Sequence, residues 1–262
     1  MTTHPAHLDT RSPARATPAR SRVLLFAFGL IAYMTGVAGL VAWIASTFGF
    51  VPFTGGPIHI EGRAGAIAFN VGLIALFGIQ HTIMAGQTFK NWWSRVLPKP
   101  IERVSFTMVT GLLVIAILWL WQPMPEVVWA VQSPILTKAL YALGALGWAY
   151  LFLASFAIDH FELFGLRQVW RNLRGKKLDS PNFKMRWMYS FDRHPIMSGA
   201  LIGMWSVPVM RMDALVMSIA FTCYICIGVS IEELRLYKKH GQSYKDYRSK
   251  VRSLVPRFLR WA

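Results

Sequence analysis

The stretch VLLFAFGLIAYMTGVAGLVAWIASTFGF, Val23 to Phe50, carries no charged side chain along its whole length. A bilayer core about 30 Å thick takes roughly 20 consecutive apolar residues as a helix, so this run spans a membrane with residues to spare. It is too long for the apolar region of a secretory signal and no A-x-A site closes it, which reads as a retained first helix. The whole chain agrees. Hydrophobic residues make up 54% and charged residues 15% of the 262 positions, where a soluble domain carries roughly 25% charged. At a mean hydropathy of +0.39 the surplus apolar side chain has to face lipid.

Five more apolar runs follow: Ala64–Met84, Val104–Trp121, Ala139–Ile158, Ile196–Met210 and Ala214–Ile231. The fifth is the short one, about 22 Å long at 1.5 Å per residue. Pro208 stands near its end and only Arg211–Asp213 separate it from the sixth, which predicts a tight helical hairpin. The expected fold is an all-α integral membrane protein of about six spans, five full plus a short helix in a C-terminal hairpin. Residues 1–22 hold Pro5, Pro13, Pro18 and four arginines and read as a flexible tail; residues 23–262 form a single membrane domain.

Charge sets the orientation. With the N-terminus in the cytoplasm, segments 1–22, 85–103, 159–195 and 232–262 are cytoplasmic and hold 4, 4, 8 and 9 Lys and Arg, 25 of the chain's 28. Only Arg63, Lys138 and Arg211 fall on the other side, as the positive-inside rule requires, so both termini are expected in the cytoplasm. The net charge of +16 therefore describes basic loops beside anionic lipid, and nucleic acid is not expected as a partner. Cys223 and Cys226 lie inside an apolar run and offer no disulfide framework.

Ionisable groups at membrane depth are costly and point to function. Gln80 and His81 close the second run, Asp159 and His160 the fourth, Arg193, His194 and Pro195 open the fifth, and Glu232 and Glu233 close the sixth. All four clusters fall on the cytoplasmic side. Each has an ordinary structural reading as well: a histidine at a helix end complements the macrodipole, Asp159 can pair with a loop arginine, and Glu232 and Glu233 lie about 100° apart, so one faces inward and the other water. His240 reads as a loop residue. Seven scattered histidines cannot build di-iron boxes, and neither a phosphate-binding glycine loop nor a serine elbow is present, so no metal is expected.

Arg193-His194-Pro195, then Gly199, Glu232-Glu233, Gly241, Tyr244, Tyr247, Val251 and Pro256 follow one ordered pattern over about 65 residues. That pattern resembles the isoprenylcysteine carboxyl methyltransferase and phospholipid methyltransferase superfamily. Gly78-Ile79-Gln80-His81, Lys90 to Trp93 and Asp159 to Gln168 look like its methanethiol S-methyltransferase branch, a multi-pass protein of the bacterial inner membrane. The resemblance implies S-adenosyl-L-methionine bound on the cytoplasmic side within 159–262. It implies that Tyr189, Arg193, His194, Pro195, Met197, Gly199, Glu232, Glu233, Tyr244 and Tyr247 form the cofactor site, with Met197 where a tyrosine is frequent. Prenylcysteine-type members carry an arginine one turn before the key glutamate for a substrate carboxylate; here that turn reads Gly228-Val229, which suits a small apolar thiol such as methanethiol. The thiol has to lose its proton, and His81 and His160, with Asp159 as orienting group, are the candidates. Sister readings are a lipid methyltransferase and a non-enzymatic NnrU-type membrane protein.

Overall fold

A computed structural model describes residues 18–176 and 187–254; most of the expected tail and Pro256 lie outside the described residues. Helix α1 (Ala19–Thr47) starts a turn before the apolar run, with Arg20 and Arg22 in its first turns, because apolarity marks where lipid begins and not where the helix does. There follow α2 (Arg63–Ala85), α3 (Gln87–Val96), α4 (Lys99–Leu120), strand β1 (Val127–Ala130), α5 (Pro134–Ala157), α6 (His160–Leu163), α7 (Leu166–Leu173), α8 (Pro195–Trp205), strand β2 (Val209–Arg211), α9 (Met212–His240) and α10 (Gln242–Lys250). Helices α1, α2, α4, α5 and α9 are long and apolar enough to cross a membrane, and α8 is the shorter apolar helix. Five full spans and a short sixth are what the hydropathy predicts.

The fifth apolar run is only partly helical. Helix α8, 11 residues beginning at Pro195 just ahead of the run, rises about 16 Å, half a bilayer core, before the chain turns at Ser206–Pro208 into β2. That strand pairs antiparallel with β1 (Ala130 with Val209, Trp129 with Met210, Val127 with Arg211). The pairing lies outside the all-α expectation, because a few strand residues at the end of an apolar run have no period of their own. Helix α9 corrects the expectation at its other end. It continues past Glu233 to Lys238, Lys239 and His240 and stops at Gly241, φ +55°, so His240 ends a helix and does not lie in a loop.

Helix α8 is held against α5 by backbone-close packing. A Cβ on Gly199 would come within 2.6 Å of both the Gly147 carbonyl oxygen and the Leu151 nitrogen, so only glycine lets the two helices approach this closely. Helix α1 packs on α4 in the same way at Gly39 and Gly111. In the core between these pairs, the Trp43 ring of α1 stacks 4.4 Å from Phe221 of α9 and meets Trp148 of α5 at 5.3 Å.

The ribbon end is tied by buried polar groups. Asn70 of α2 exchanges two hydrogen bonds with the Gln122 backbone (3.0 and 2.9 Å), and Asp213 accepts from the Met124 amide at 3.0 Å while pairing with Arg211. With that end locked, the C-terminal ends of α2, α5 and α9 and the N-terminus of α8 meet at the other.

Candidate active site

Glu233 is the centre of that end. It is 7% exposed, and its Oε1 accepts from Arg193 Nε at 2.9 Å and Nη2 at 2.7 Å, from Ser253 Oγ at 3.0 Å, and lies 3.2 Å from His194 Nε2. Arg193 uses Nη1 on the carbonyls of Arg248 (2.9 Å) and Val251 (2.6 Å). One buried ion pair therefore joins α9, the start of α8 and the chain after α10. Such a buried pair is tolerated because Ser253, His194 and two backbone carbonyls add further polar contacts to it.

Glu232, one residue away, faces out: its side chain is 54% exposed and its Oε2 lies 3.5 Å from His194 Nδ1. The expectation that one carboxylate turns inward and one outward holds, with Glu233 the inward one. His194 is buried and stands between the two. Burial alone would favour its neutral form, but the carboxylates of Glu232 and Glu233 outweigh burial and hold its pKa up at about 9, so it is an imidazolium at neutral pH. Asp192 sits beneath this arrangement, fully buried. It accepts from the His194 amide (2.9 Å) and the Tyr150 hydroxyl (3.2 Å), and burial raises its pKa against a hydrogen bond from Ser198.

Aromatic residues close the surroundings. Tyr247 donates to the Tyr189 carbonyl at 2.6 Å, and the Tyr244 and Tyr247 rings meet at 6.0 Å. Tyr244 is buried with its hydroxyl unpartnered among the described residues. Burial, then the nearby Glu232 charge, raises the Tyr189 phenol. Pro195 and Met197 occupy the first turn of α8. Gly199 is brought to the α5 backbone and Arg193 to Glu233, so these two shape the site from behind.

The histidine candidates occupy different places. His160 is buried at the end of α5 against Phe156, with ring centroids 4.4 Å apart. Ser155 Oγ, already donating to the Phe152 carbonyl at 2.6 Å, lies 2.8 Å from Nδ1, and the Tyr33 hydroxyl lies 2.8 Å from Nε2. Ser155 thus accepts from Nδ1–H and Tyr33 caps the Nε2 lone pair, which assigns the neutral tautomer. Burial lowers the His160 pKa against the pull of Asp159. Asp159, at φ +84°, caps the amide of Glu162 (3.1 Å) and pairs with Arg167 at 2.8 Å; both of its oxygens are engaged locally.

His81 lies on the other flank of α4. Its ring is 4.9 Å from Phe106, 5.4 Å from Phe77 and 6.3 Å from Tyr224, and its Nδ1, like Gln80 Oε1, is buried without a partner among the described residues. The structure does not bring His81 and His160 together, and neither contacts the Glu232–His194–Glu233 cluster directly. Tyr224, two turns before Glu232 on α9, connects His81 to that helix.

Three participants were not singled out from the sequence. Asp192 adjoins the Arg-His-Pro triplet, so its position was the available signal. Ser253 gives no signal at all. Lys90 of α3 was quoted only as part of a motif; burial lowers its pKa, and Arg103 and Arg235 act in the same direction against Glu102, so three cations from α3, α4 and α9 lie close together.

No family model matches the chain, and no solved structure does. Characterised relatives do. Methanethiol S-methyltransferase 1 of Bradyrhizobium diazoefficiens is 36% identical over 236 residues, covering 90% of this chain and 83% of the relative. Methanethiol S-methyltransferase of Mycobacterium tuberculosis is 40% identical over 191 residues, 73% of this chain and 78% of the relative. Nurim of Sus scrofa is 28% identical over 238 residues, 81% and 88%. Five helices long and apolar enough to cross a membrane, together with relatives named methyltransferases, define a multi-pass membrane methyltransferase. Within that class, the chain belongs to the methanethiol S-methyltransferase family.

Proposed function

We propose that this protein methylates methanethiol to dimethyl sulfide with S-adenosyl-L-methionine as donor, at the cytoplasmic face of a bacterial inner membrane. The observation that carries the reading is the division of labour between the paired glutamates: Glu233 is consumed by the scaffold, and Glu232 presents an exposed carboxylate beside His194, near enough to Tyr189 and Tyr244 for its charge to act on both phenols. The donor is a sulfonium that also bears an ammonium and ribose hydroxyls, and it supplies an electrophilic methyl group. A carboxylate next to aromatic faces suits such cations, and the unpartnered Tyr244 hydroxyl leaves a hydrogen-bonding position open. Glu232, His194, Tyr189, Met197, Tyr244 and Tyr247 would hold it, with Arg193, Pro195, Gly199 and Glu233 positioning them.

The proton is the chain's own task. Thiolate is the nucleophile, and a simple alkanethiol is less acidic than cysteine at about 8.5, so a base has to accept its proton. His81 is favoured over His160 because its Nδ1 has no competing partner, whereas both His160 nitrogens are taken. Asp159 caps α6 and pairs with Arg167, and it acts on the His160 imidazole only through its charge. Apolar walls around His81 keep water away from the developing thiolate, which favours annihilation of charge between thiolate and cation.

Purified protein given the donor and methanethiol is expected to release dimethyl sulfide, measured by headspace gas chromatography, and Glu232→Ala is expected to weaken donor binding. Methyl transfer to extracted lipid with none to the thiol would replace this reading by the lipid one. Absence of donor binding in the wild type would refute the enzymatic reading.

A further inference from the structure

Between α2 and α9 runs a groove of about 780 Å³, lined almost wholly by apolar side chains and outside the cluster around Glu233. Its walls include Val71, Ala75 and Thr82 of α2 and Ile219, Cys223 and Gly228 of α9. Its outer rim is exposed: Ile79, Ile83 and Ile227 are each more than half exposed, so it opens sideways toward lipid. Methanethiol has two heavy atoms and occupies roughly 60 Å³, by comparison with about 30 Å³ for a water. The groove is more than ten times larger than the proposed substrate, and within the roughly 300–1,000 Å³ of small-molecule sites.

The two ends of the groove differ. Toward the C-termini of α2 and α9 it gains polar groups, Thr82 and Tyr224, and the Tyr224 ring is the one that meets His81. Gly228 lies one turn before Glu232, and a Cβ added there would meet nothing within 4 Å. Gly78 faces the Tyr224 ring, which a Cβ would approach to 2.9 Å, so glycine makes room for that tyrosine in the wall. A crevice that merely faces lipid has no reason to close on Tyr224, whose far side meets His81, and on Gly228, an absent side chain one turn before the exposed carboxylate of Glu232. We propose that this groove receives the alkyl tail of larger apolar thiols, and that the protein methylates medium-chain alkanethiols drawn from the bilayer as well as methanethiol.

This inference rests on the methanethiol reading and keeps its chemistry. The thiol sulfur forms one C–S bond to the methyl group as the donor's own C–S bond breaks and its sulfur keeps the electron pair. The thiol proton passes to the base. The products are a methyl alkyl sulfide and the demethylated donor. An eight-carbon tail extends about 10 Å on bonds near 1.5 Å, the distance from Thr82 back to Ala75 at about 1.5 Å per helical residue. Each added methylene is expected to lower KM about fourfold while the tail still gains burial.

The test compares methanethiol and octanethiol on wild-type protein and on Ala75→Trp and Ile219→Trp, which fill the far part of the groove from opposite walls. Both positions are exposed, so the fold tolerates bulk there. Gas chromatography quantifies dimethyl sulfide and methyl octyl sulfide. The expected result is turnover of both thiols by the wild type, at least a tenfold loss of kcat/KM for octanethiol in each variant, and methanethiol turnover within about twofold of wild type. Photolabelling by an octanethiol with a terminal diazirine, competed by methyl octyl sulfide, should mark α2 and α9. Methanethiol turnover without octanethiol turnover overturns the inference and leaves the methanethiol reading standing. Octanethiol turnover that neither variant changes overturns the groove assignment. Loss of both thiols in the wild type refutes the methanethiol reading itself.

Discussion

Replacing Glu233 by alanine should unfold this protein far more readily than replacing Glu232, although the two are adjacent and alike. Glu233 is 7% exposed and takes Arg193 on two nitrogens at 2.9 and 2.7 Å, with Ser253 and His194 on the same oxygen. Removing it strands a guanidinium that is itself 9% exposed, and breaking one half of a buried pair costs about 3–5 kcal/mol. At roughly 2–4 °C per kcal/mol for a chain of this size, the midpoint should fall by about 6–20 °C. Glu232 has a side chain 54% exposed and, among the described residues, pairs with His194 at 3.5 Å, so Glu232→Ala should cost no more than about 1 kcal/mol while weakening donor binding. The assay is thermal unfolding in detergent followed by tryptophan fluorescence, alongside isothermal titration of the donor. An Arg193→Gln/Glu233→Gln pair should recover part of the loss, since neither charge is then left alone. Equal destabilisation by the two single alanine variants, or a loss below 1 kcal/mol at Glu233, would refute the scaffold role.

Stability should depend on pH through His194, whose pKa is held at about 9 by Glu232 and Glu233 against burial. A folded-state pKa above the unfolded value near 6.5 contributes stability fully below about pH 6.5 and loses it as pH rises through 9, about 3 kcal/mol in all. A urea titration at pH 6 and pH 10 should show the drop, and His194→Gln should flatten it. His81→Ala should lower kcat for methanethiol by about 10²–10⁴-fold, with partial recovery at high pH as the thiol ionises unaided; a pH-independent loss would argue for packing alone. His160→Ala should instead cost stability, about 1 kcal/mol for each of the hydrogen bonds to Tyr33 and Ser155, read from the unfolding midpoint with kcat little changed. Gly199→Ala drives a Cβ to 2.6 Å from the α5 backbone and should cost at least about 1–3 kcal/mol, visible as a lower midpoint and loosened donor binding because α8 carries His194.

Spans and site differ in how far they could be read from the chain. A helix in lipid satisfies its own backbone hydrogen bonds, so each span declares itself locally by an apolar run of sufficient length. Val23 to Phe50 needs no partner to be recognised, and the lysines and arginines between runs predict an orientation for it without reference to packing. The ordered residues from Arg193 to Tyr247 likewise named the family before any geometry. Beyond that point local information ends. Glu232 and Glu233 differ by about 100° of helical rotation, and which one turns inward depends on where Arg193 arrives from 40 positions earlier. Tyr33 and His160 are 127 residues apart, yet the hydroxyl of one caps the lone pair of the other; no pattern within either segment carries that contact. The halt of α8 at Trp205 follows from β1, which pairs with the residues just beyond it. Length, hydropathy and charge determined the membrane class and the number of spans, because each is a property of contiguous residues in a uniform solvent, and the ordered motif from Arg193 to Tyr247 carried the resemblance to the family. Tertiary structure alone decided which glutamate holds the scaffold, which histidine has both nitrogens engaged, and that α2 and α9 leave an apolar groove between them, because those depend on side chains that only the packed helices bring together.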